Sequence, residues 1–247
     1  MKILVCISKT PDTTAKIAFA EGNTKFDENG VQWIINPYDE WYALVKAIEL
    51  KERDASVTIH LVTVGGADTE PIIRKALALG GDEAFRVNNT SNDSMVVAQE
   101  IAAIAKQGAY DLILTGKETI DYNSASIGAM LSALLDQNFI SAAVKLDLNG
   151  KIAIVTREIE GGEETCETNL PVIISCQKGM AEQRIPNMRG IMAARTKPLN
   201  VLEASISAQN TTIKSFELPP AKTGVKLVDP TNMDELVRLL KEEAKVI

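Results

Sequence analysis

The chain has 247 residues, of which 45% are hydrophobic and 24% charged, the composition of a folded globular protein. It carries 26 Lys and Arg against 33 Asp and Glu, so its formal charge is −7 and nucleic acid is disfavoured as a partner. Three cysteines without a Cys-x-x-Cys pair and a single histidine argue against zinc sites and histidine-based triads. We expect a cytoplasmic protein without a signal peptide or membrane insertion.

Strands and helices alternate along the first 135 residues. Short β-branched runs predict strands at residues 2–8, 33–35, 56–64, 83–87 and 111–115. Amphipathic segments predict helices that begin at Asn36-Pro37 and that cover residues 69–79, 93–106 and 125–135. Asn36 is the expected cap of the first helix with Pro37 at its first position, and Asp93 is the expected cap of the third. This alternation predicts a mostly parallel α/β sheet with helices on both faces.

The pattern changes after Asp136. Two β runs flank Asn149-Gly150, which predicts a type I′ hairpin, and Gly161-Gly162 predicts a second turn, so antiparallel strands are added to the sheet. From Lys178 the chain is loop-like and proline-containing until an amphipathic helix at residues 232–245. We therefore expect a domain over residues 1–200 and an extended arm over residues 201–247 that packs on another subunit. The alternative is that the terminal helix docks on its own domain.

Ligands of an open α/β sheet collect at the carboxyl ends of the strands. Small and hydroxylated residues follow the strand that ends at Thr115, and such a helix start suits a phosphate. The dinucleotide and P-loop glycine patterns are absent, and a plain capped helix explains the loop equally well. His60 and Cys6 are expected to be packing residues, and the glutamates around Gly161-Gly162 a solvated hairpin tip. A nucleotide-type crevice without a catalytic constellation indicates binding rather than catalysis.

Several segments in the same order resemble the beta subunit of electron transfer flavoprotein. They are residues 36–40 (NPYDE), 114–121 (LTGKETID), 157–164 (REIEGGEE), 184–188 (RIPNM) and 190–194 (GIMAA). The resemblance covers essentially the whole chain. It implies a Rossmann-like, adenine-nucleotide-binding fold and a structural AMP in this subunit. The implied AMP site comprises Cys6, Asn36, Pro37, Tyr38, Asp39, Val64, Tyr122, Asn123, Ser124, Ala125, Ser126, Ile127, Gly128, Ala129, Met130, Leu131, Ser132 and Ala133.

The resemblance also implies a heterodimer with an alpha subunit that holds most of a shared FAD. Glu158 stands where the family places a carboxylate that pairs with an arginine of the moving flavin domain. Residues 184–197 correspond to a recognition loop for acyl-CoA and other flavin dehydrogenases, which implies a role in fatty acid β-oxidation. The residues implied to bind partners are Glu158, Arg184, Met188, Arg189, Ile191, Met192 and Arg195.

Three functions follow from these observations. The leading one is a non-enzymatic electron carrier that passes electrons from dehydrogenases towards a quinone oxidoreductase. The second is the beta subunit of an electron-bifurcating flavoprotein, with a second FAD in place of AMP; its loop pattern is matched here at Asp121, Ala125 and Gly128. The third is a stand-alone adenine-nucleotide-binding regulatory protein, which would have no need of an exposed arm.

Overall fold

The computed structural model describes residues 1–221 and 224–247. Its first half contains β1 (Lys2–Cys6), β2 (Lys9–Pro11), β3 (Phe19–Ala20), β4 (Lys25–Phe26), β5 (Trp33–Ile35), α1 (Glu40–Arg53), β6 (Thr58–Val64), α2 (Glu70–Leu79), β7 (Glu83–Asn88), α3 (Ser94–Gly108), β8 (Leu112–Gly116) and α4 (Ile127–Leu135). Its second half contains β9 (Asn138–Asn149), β10 (Ile152–Ile159), β11 (Gly162–Asn169), β12 (Val172–Cys176), α5 (Met188–Ala194), β13 (Leu199–Glu203) and α6 (Met233–Arg238).

Among the described residues, nine strands form one sheet in the order β11-β10-β9-β12-β8-β1-β6-β7-β13. The seven strands from β9 to β13 in this order are mutually parallel, and β10 and β11 are antiparallel additions. The predicted α/β fold with added hairpin strands is confirmed. The chain moves from β1 outward to β7 and then returns to the other side of β1 through α3 and β8. The strand order therefore reverses between β1 and β8, where such folds bind ligands.

Helices cover both faces of the sheet because successive strand residues point to opposite sides. In β1, Ile3 and Val5 join a core cluster with α1 and α2, whereas Leu4 and Cys6 join a second cluster with α3 and α4. Both clusters are well buried, and burying each large side chain contributes roughly 1.5–3 kcal/mol. The strand ends between β1 and β8 are thereby held in a rigid frame.

Three local predictions need correction. The first helix begins at Glu40 rather than at Pro37, because the side chain of the expected cap, Asn36, is engaged by another loop. Helix α4 begins at Ile127 rather than at Ala125, because Ala125 adopts a left-handed backbone with φ of 49°. The two loop residues of the β9–β10 hairpin are Gly150 and Lys151 rather than Asn149 and Gly150, because Asn149 is paired with Ile152.

The β9–β10 turn differs in type as well as in position. Of its two loop residues only Gly150 has a positive φ, 59°, which is the pattern of a type II′ turn rather than of the predicted type I′. The prediction for Asp93 is confirmed, since its carboxylate accepts hydrogen bonds from the backbone N–H groups of Met95 and Val96 at the start of α3.

The segment after Lys178 holds more regular structure than the sequence indicated. It contains α5, and β13 pairs in parallel with β7 along five residues. Met1–Ala18 and Asp27–Ile213 together form one compact unit. The packing of the arm on another subunit stays a prediction. Two residues of the predicted arm, Lys222 and Thr223, lie outside the described residues.

A second unit comprises Phe19–Phe26 and Lys214–Ile247. In it the rings of Phe19 and Phe216 stack with centroids 4.9 Å apart, and the N–H of Phe216 donates to the carbonyl of Asn23. Its helical end consists of α6 and a π-helical turn over Leu239–Glu243, and Asn232 caps α6. The helix is thus slightly shorter than the predicted 232–245.

Candidate functional site

The floor of the candidate site is formed where β1, β6 and β8 end. Cys6, Val64 and Thr115 stand at these ends, and Cys6 and Val64 belong to the core cluster shared with α3 and α4. Burial, with a smaller contribution from the nearby Glu40 charge, raises the pKa of the Cys6 thiol well above its ordinary value. Cys6 is therefore an uncharged wall residue and not a nucleophile.

The start of α4 stands beside this floor with free backbone donors. The first amides of a helix have no intrahelical partner, and Ser126 at the cap position makes no side-chain capping bond. Three hydroxyls cluster at this end: the Oγ of Ser126 and that of Ser94 lie 3.3 and 3.5 Å from the Oγ of Ser124. Amides and hydroxyls in this arrangement can receive the oxygens of a phosphate.

Gly128 allows the close approach of α4 to the strand ends. A Cβ at this position would lie 2.5 Å from the ring of Phe139 and 3.3 Å from the Oγ1 of Thr115. Any larger residue would therefore push the helix start away from β8. The missing side chain keeps the free amides of the first turn next to the end of the strand.

Asn36 and Asp39 support the loop between β8 and α4 from its other side. The Asn36 amide donates to the carbonyl of Glu118 at 2.7 Å and accepts from the N–H of Ile120 at 3.2 Å. The Asp39 carboxylate accepts from the N–H of Glu118 at 3.0 Å, and burial raises its pKa. These bonds hold the loop in place, and contact of Asn36 and Asp39 with a nucleotide stays a prediction.

The remaining residues of the implied nucleotide site are only partly brought together. Ala129 and Ala133 are exposed, Met130 is half-buried, and Leu131 lies in the core. The Ser132 hydroxyl donates to the carbonyl of Gln137 at 2.6 Å, which closes the far end of α4. Gly128, in the first turn of α4, approaches the end of β8, and ligand contacts of the other α4 residues stay predictions.

A cavity of about 380 Å³ lies beside Tyr38 and Asp39. Glu158 faces this cavity and accepts a hydrogen bond from the side chain of Gln177, while Tyr38 and Tyr122 are about half exposed. The structure thus places Glu158 close to one part of the implied nucleotide site. The cavity is lined by Tyr38, Asp39, Lys117, Glu118, Ile120, Asn123, Glu158, Gln177 and Lys178.

Glu40 is a residue beside the site whose role the sequence reasoning missed. The Glu40 carboxylate accepts from the N–H of Ser8 at 2.6 Å and from the Ser8 hydroxyl at 2.7 and 2.8 Å, and so ties α1 to the end of β1. Burial is the main cause that raises the Glu40 pKa to about 8. In the sequence Glu40 looked like one of two ordinary first-turn acids, and only its contacts distinguish it.

The implied recognition segment presents apolar side chains on a firmly attached helix. Ile185, Met188 and Met192 are 87, 73 and 56% exposed, and Ile191 is also exposed. The Arg74 guanidinium donates to the carbonyls of Ala194 and Lys197 at 2.8 and 2.7 Å, which fixes the end of α5 to α2.

The three arginines of this segment are not equivalent. Arg184 forms two hydrogen bonds with Glu52 of its own chain, at 2.7 and 3.0 Å, so its charge is already paired. Arg189 and Arg195 are exposed. Two of the three charges are therefore presented at the surface.

The described part of the chain has neither a cluster of metal ligands nor a membrane-spanning helix. No group of three or more His, Cys, Asp or Glu side chains in residues 1–221 and 224–247 is arranged to hold a metal ion. Within the same ranges no helix combines the length and the hydropathy that a membrane span requires.

Comparison with known proteins defines the class. The model of the electron transfer flavoprotein domain matches residues 23–207. The chain is 39% identical to the electron transfer flavoprotein subunit beta of Bacillus subtilis (strain 168), with both chains covered completely. It is 35% identical to the same subunit of Syntrophomonas wolfei, over all of this chain and 98% of the relative. It is 29% identical to the caffeyl-CoA reductase-Etf complex subunit CarD of Acetobacterium woodii, over 98 and 99% of the two chains.

A mostly parallel α/β fold, matched along the whole chain in this way, is that of an electron transfer flavoprotein subunit. The chain belongs to this family, and within it to the beta subunits.

Proposed function

We propose that the chain is the beta subunit of a heterodimer with an electron transfer flavoprotein alpha subunit. In this role it carries electrons from flavin dehydrogenases, typically acyl-CoA dehydrogenases, towards a quinone oxidoreductase in the cytoplasm, and serves fatty acid β-oxidation. It catalyses no bond-making step itself. The observation that carries the proposal is α5, whose end is hydrogen-bonded to Arg74 while its Met188 and Met192 side chains stay exposed.

Exposed methionines on a fixed helix suit varied partners. The thioether side chain is flexible and polarizable, so one Met can fill apolar pockets of different shapes. Arg189 and Arg195 beside it favour acidic partner surfaces and speed the encounter. We assign α5 and the preceding residues to docking on dehydrogenases.

The groups at the ends of β1, β6 and β8 suit an adenosine monophosphate. The free amides of α4 and the hydroxyls of Ser124 and Ser126 suit one phosphate, and the apolar floor at Cys6 and Val64 suits the nucleoside. The orphaned hydroxyl of Thr115 at the same place also indicates a missing polar partner. We infer that AMP binds here and stabilises the fold without taking part in electron transfer.

The FAD would be held mostly by the alpha subunit, and it supplies the electron-carrying chemistry when bound. On this chain Glu158, at the edge of the cavity, is the carboxylate available to an arginine of the partner's flavin domain. Its contact with Gln177 keeps it oriented when that arginine is away. An exposed ion pair contributes only about 0–1 kcal/mol, so the flavin domain stays free to move.

We propose that the arm after residue 200 packs on the alpha subunit. Val225 and Leu227 are 79 and 90% exposed, and Val246 and Ile247 at its end are also exposed. Several exposed apolar side chains on one segment indicate a surface that contacts another protein. If the chain were instead a stand-alone nucleotide-binding protein, these exposed side chains would have no partner to contact.

A second candidate is a subunit that binds a second FAD in place of AMP and bifurcates electrons. The observation that favours it is the likeness to a subunit of a caffeyl-CoA reductase-Etf complex. It predicts two flavins per heterodimer, whereas the leading proposal predicts one flavin and one AMP.

The docking role is tested by Met188→Glu in the chain co-expressed with an alpha subunit. We expect the KM for the flavoprotein in an acyl-CoA dehydrogenase assay to rise at least about tenfold, because truncating a central anchor of an interface costs about 2 kcal/mol or more. Flavin content should stay unchanged. The matched control is Ile152→Glu, which places the same charge at another exposed apolar position, 39% exposed, in the β9–β10 hairpin. Equal kinetics of the two variants would remove Met188 from the docking surface.

A further inference from the structure

Thr115 carries a buried hydroxyl that makes no hydrogen bond within the described part of the chain. The residue is 2% exposed, and its Oγ1 has no hydrogen-bond partner among the described residues. A buried hydroxyl without a partner is costly, so such groups usually meet a ligand or ordered water. Thr63, another buried threonine near a strand end, shows the ordinary case: its hydroxyl donates to the carbonyl of Ile7 at 2.8 Å.

The Thr115 hydroxyl faces the start of α4. A Cβ on Gly128 would lie 3.3 Å from its Oγ1, so the hydroxyl stands beside the first turn of the helix. Thr115 is the second residue after Ile113, whose side chain lies in the core cluster of α3 and α4, and the alternation of a strand puts both on this face. The orphaned hydroxyl of Thr115 and the first turn of α4 are thus neighbours at the end of β8.

We propose that Thr115 is a specificity-determining residue of the nucleotide site, whose hydroxyl donates a hydrogen bond to a phosphate oxygen of the bound nucleotide. The proposal rests on the proposed AMP function. The hydroxyl would add a donor from the strand side to the amides that approach from the helix side. A nucleoside without a phosphate would not use it.

The test compares AMP with adenosine on the full-length chain, freed of bound nucleotide, by isothermal titration calorimetry. Thr115→Val should weaken AMP binding by about 10- to 100-fold, the usual loss for a hydrogen bond to a charged group. It should leave adenosine binding within about threefold. Thr115→Ser, which keeps the hydroxyl, should retain AMP binding within about threefold.

Thermal unfolding separates this role from a structural one. Without nucleotide, Thr115→Val should unfold at the same or a higher temperature than the unchanged chain, since it removes an unpaired buried polar group. Thr63→Val, the matched control, loses a made hydrogen bond and should unfold at a lower temperature.

Two results would overturn the proposal in different ways. If the unchanged chain binds AMP and Thr115→Val binds it equally well, the assignment of Thr115 fails while the nucleotide site stands. If the unchanged chain binds neither AMP nor adenosine, the proposed nucleotide function fails and the assignment of Thr115 falls with it. Equal losses for AMP and adenosine also contradict a contact to the phosphate.

Discussion

Replacing Glu40 by Gln should remove a large part of the pH dependence of stability. Glu40 is buried, it is bonded to Ser8, and the charges of Asp39 and Asp121 lie near it. Desolvation, the largest cause, raises its pKa from an ordinary 4.5 to about 8, so the folded protein keeps this carboxyl protonated at neutral pH. Glutamine imitates the protonated acid and can still accept from the N–H of Ser8.

The sign and size follow from proton linkage. Between pH 4.5 and 8 the folded state binds the Glu40 proton and the unfolded state has lost it, so the free energy of unfolding falls as pH rises. Each pH unit is worth about 1.4 kcal/mol, and the full interval of about 3.5 units costs up to about 5 kcal/mol. This contribution is fully present below pH 4.5 and is lost at about pH 8.

Urea unfolding of the chain and of Glu40→Gln at pH 5, 6, 7 and 8 measures this directly. The two proteins should have similar free energies of unfolding near pH 5. Above pH 5 the free energy of unfolding of the variant should exceed that of the unchanged chain by roughly 1 kcal/mol or more for each pH unit. Other titrating groups cancel in the difference. A difference that stays constant from pH 5 to 8 would show that Glu40 is ionised in the folded protein and would refute the reasoning.

Three further predictions concern the loop, the recognition helix and the segment of residues 205–211. Asn36→Ala removes two hydrogen bonds from a buried turn and should lower the free energy of unfolding by about 1–3 kcal/mol in urea; an unchanged midpoint would contradict its supporting role. Gly190→Ala would place a Cβ 2.3 Å from the carbonyl oxygen of Ala78, so α5 should shift and dehydrogenase kinetics should worsen while flavin content holds; normal kinetics would argue against a fixed helix. The Asp93 carboxylate also accepts from the N–H groups of Asn210 and Thr211, so Asp93→Ala should speed hydrogen exchange of these two amides; unaltered exchange there would mean that other contacts hold this end of the segment.

The layered fold was predictable because its signals are local and repeated. Apolar runs of strand length alternate with amphipathic segments, and Asp93 caps α3 as its position before the helix suggested. The meeting of the ends of β1, β6 and β8 was also predictable, since strand ends in a parallel α/β sheet lie at one edge whatever their side chains.

The side-chain roles were less predictable, because they depend on contacts between distant segments. Asn36 fits the pattern of a helix cap, yet its amide bonds to residues more than 80 positions away. The short helix α5 and strand β13 lack a long period and form by packing on α2 and by pairing with β7. Nothing in the sequence distinguishes Thr115 from a threonine such as Thr63 whose hydroxyl is satisfied.

Native mass spectrometry of the chain co-expressed with an alpha subunit tests the central claim most directly. The account predicts a heterodimer whose mass includes one FAD and one AMP. A lone chain without flavin would contradict the assignment as a beta subunit at work in a heterodimer, and a heterodimer with two FAD molecules would replace the AMP site by a second flavin site.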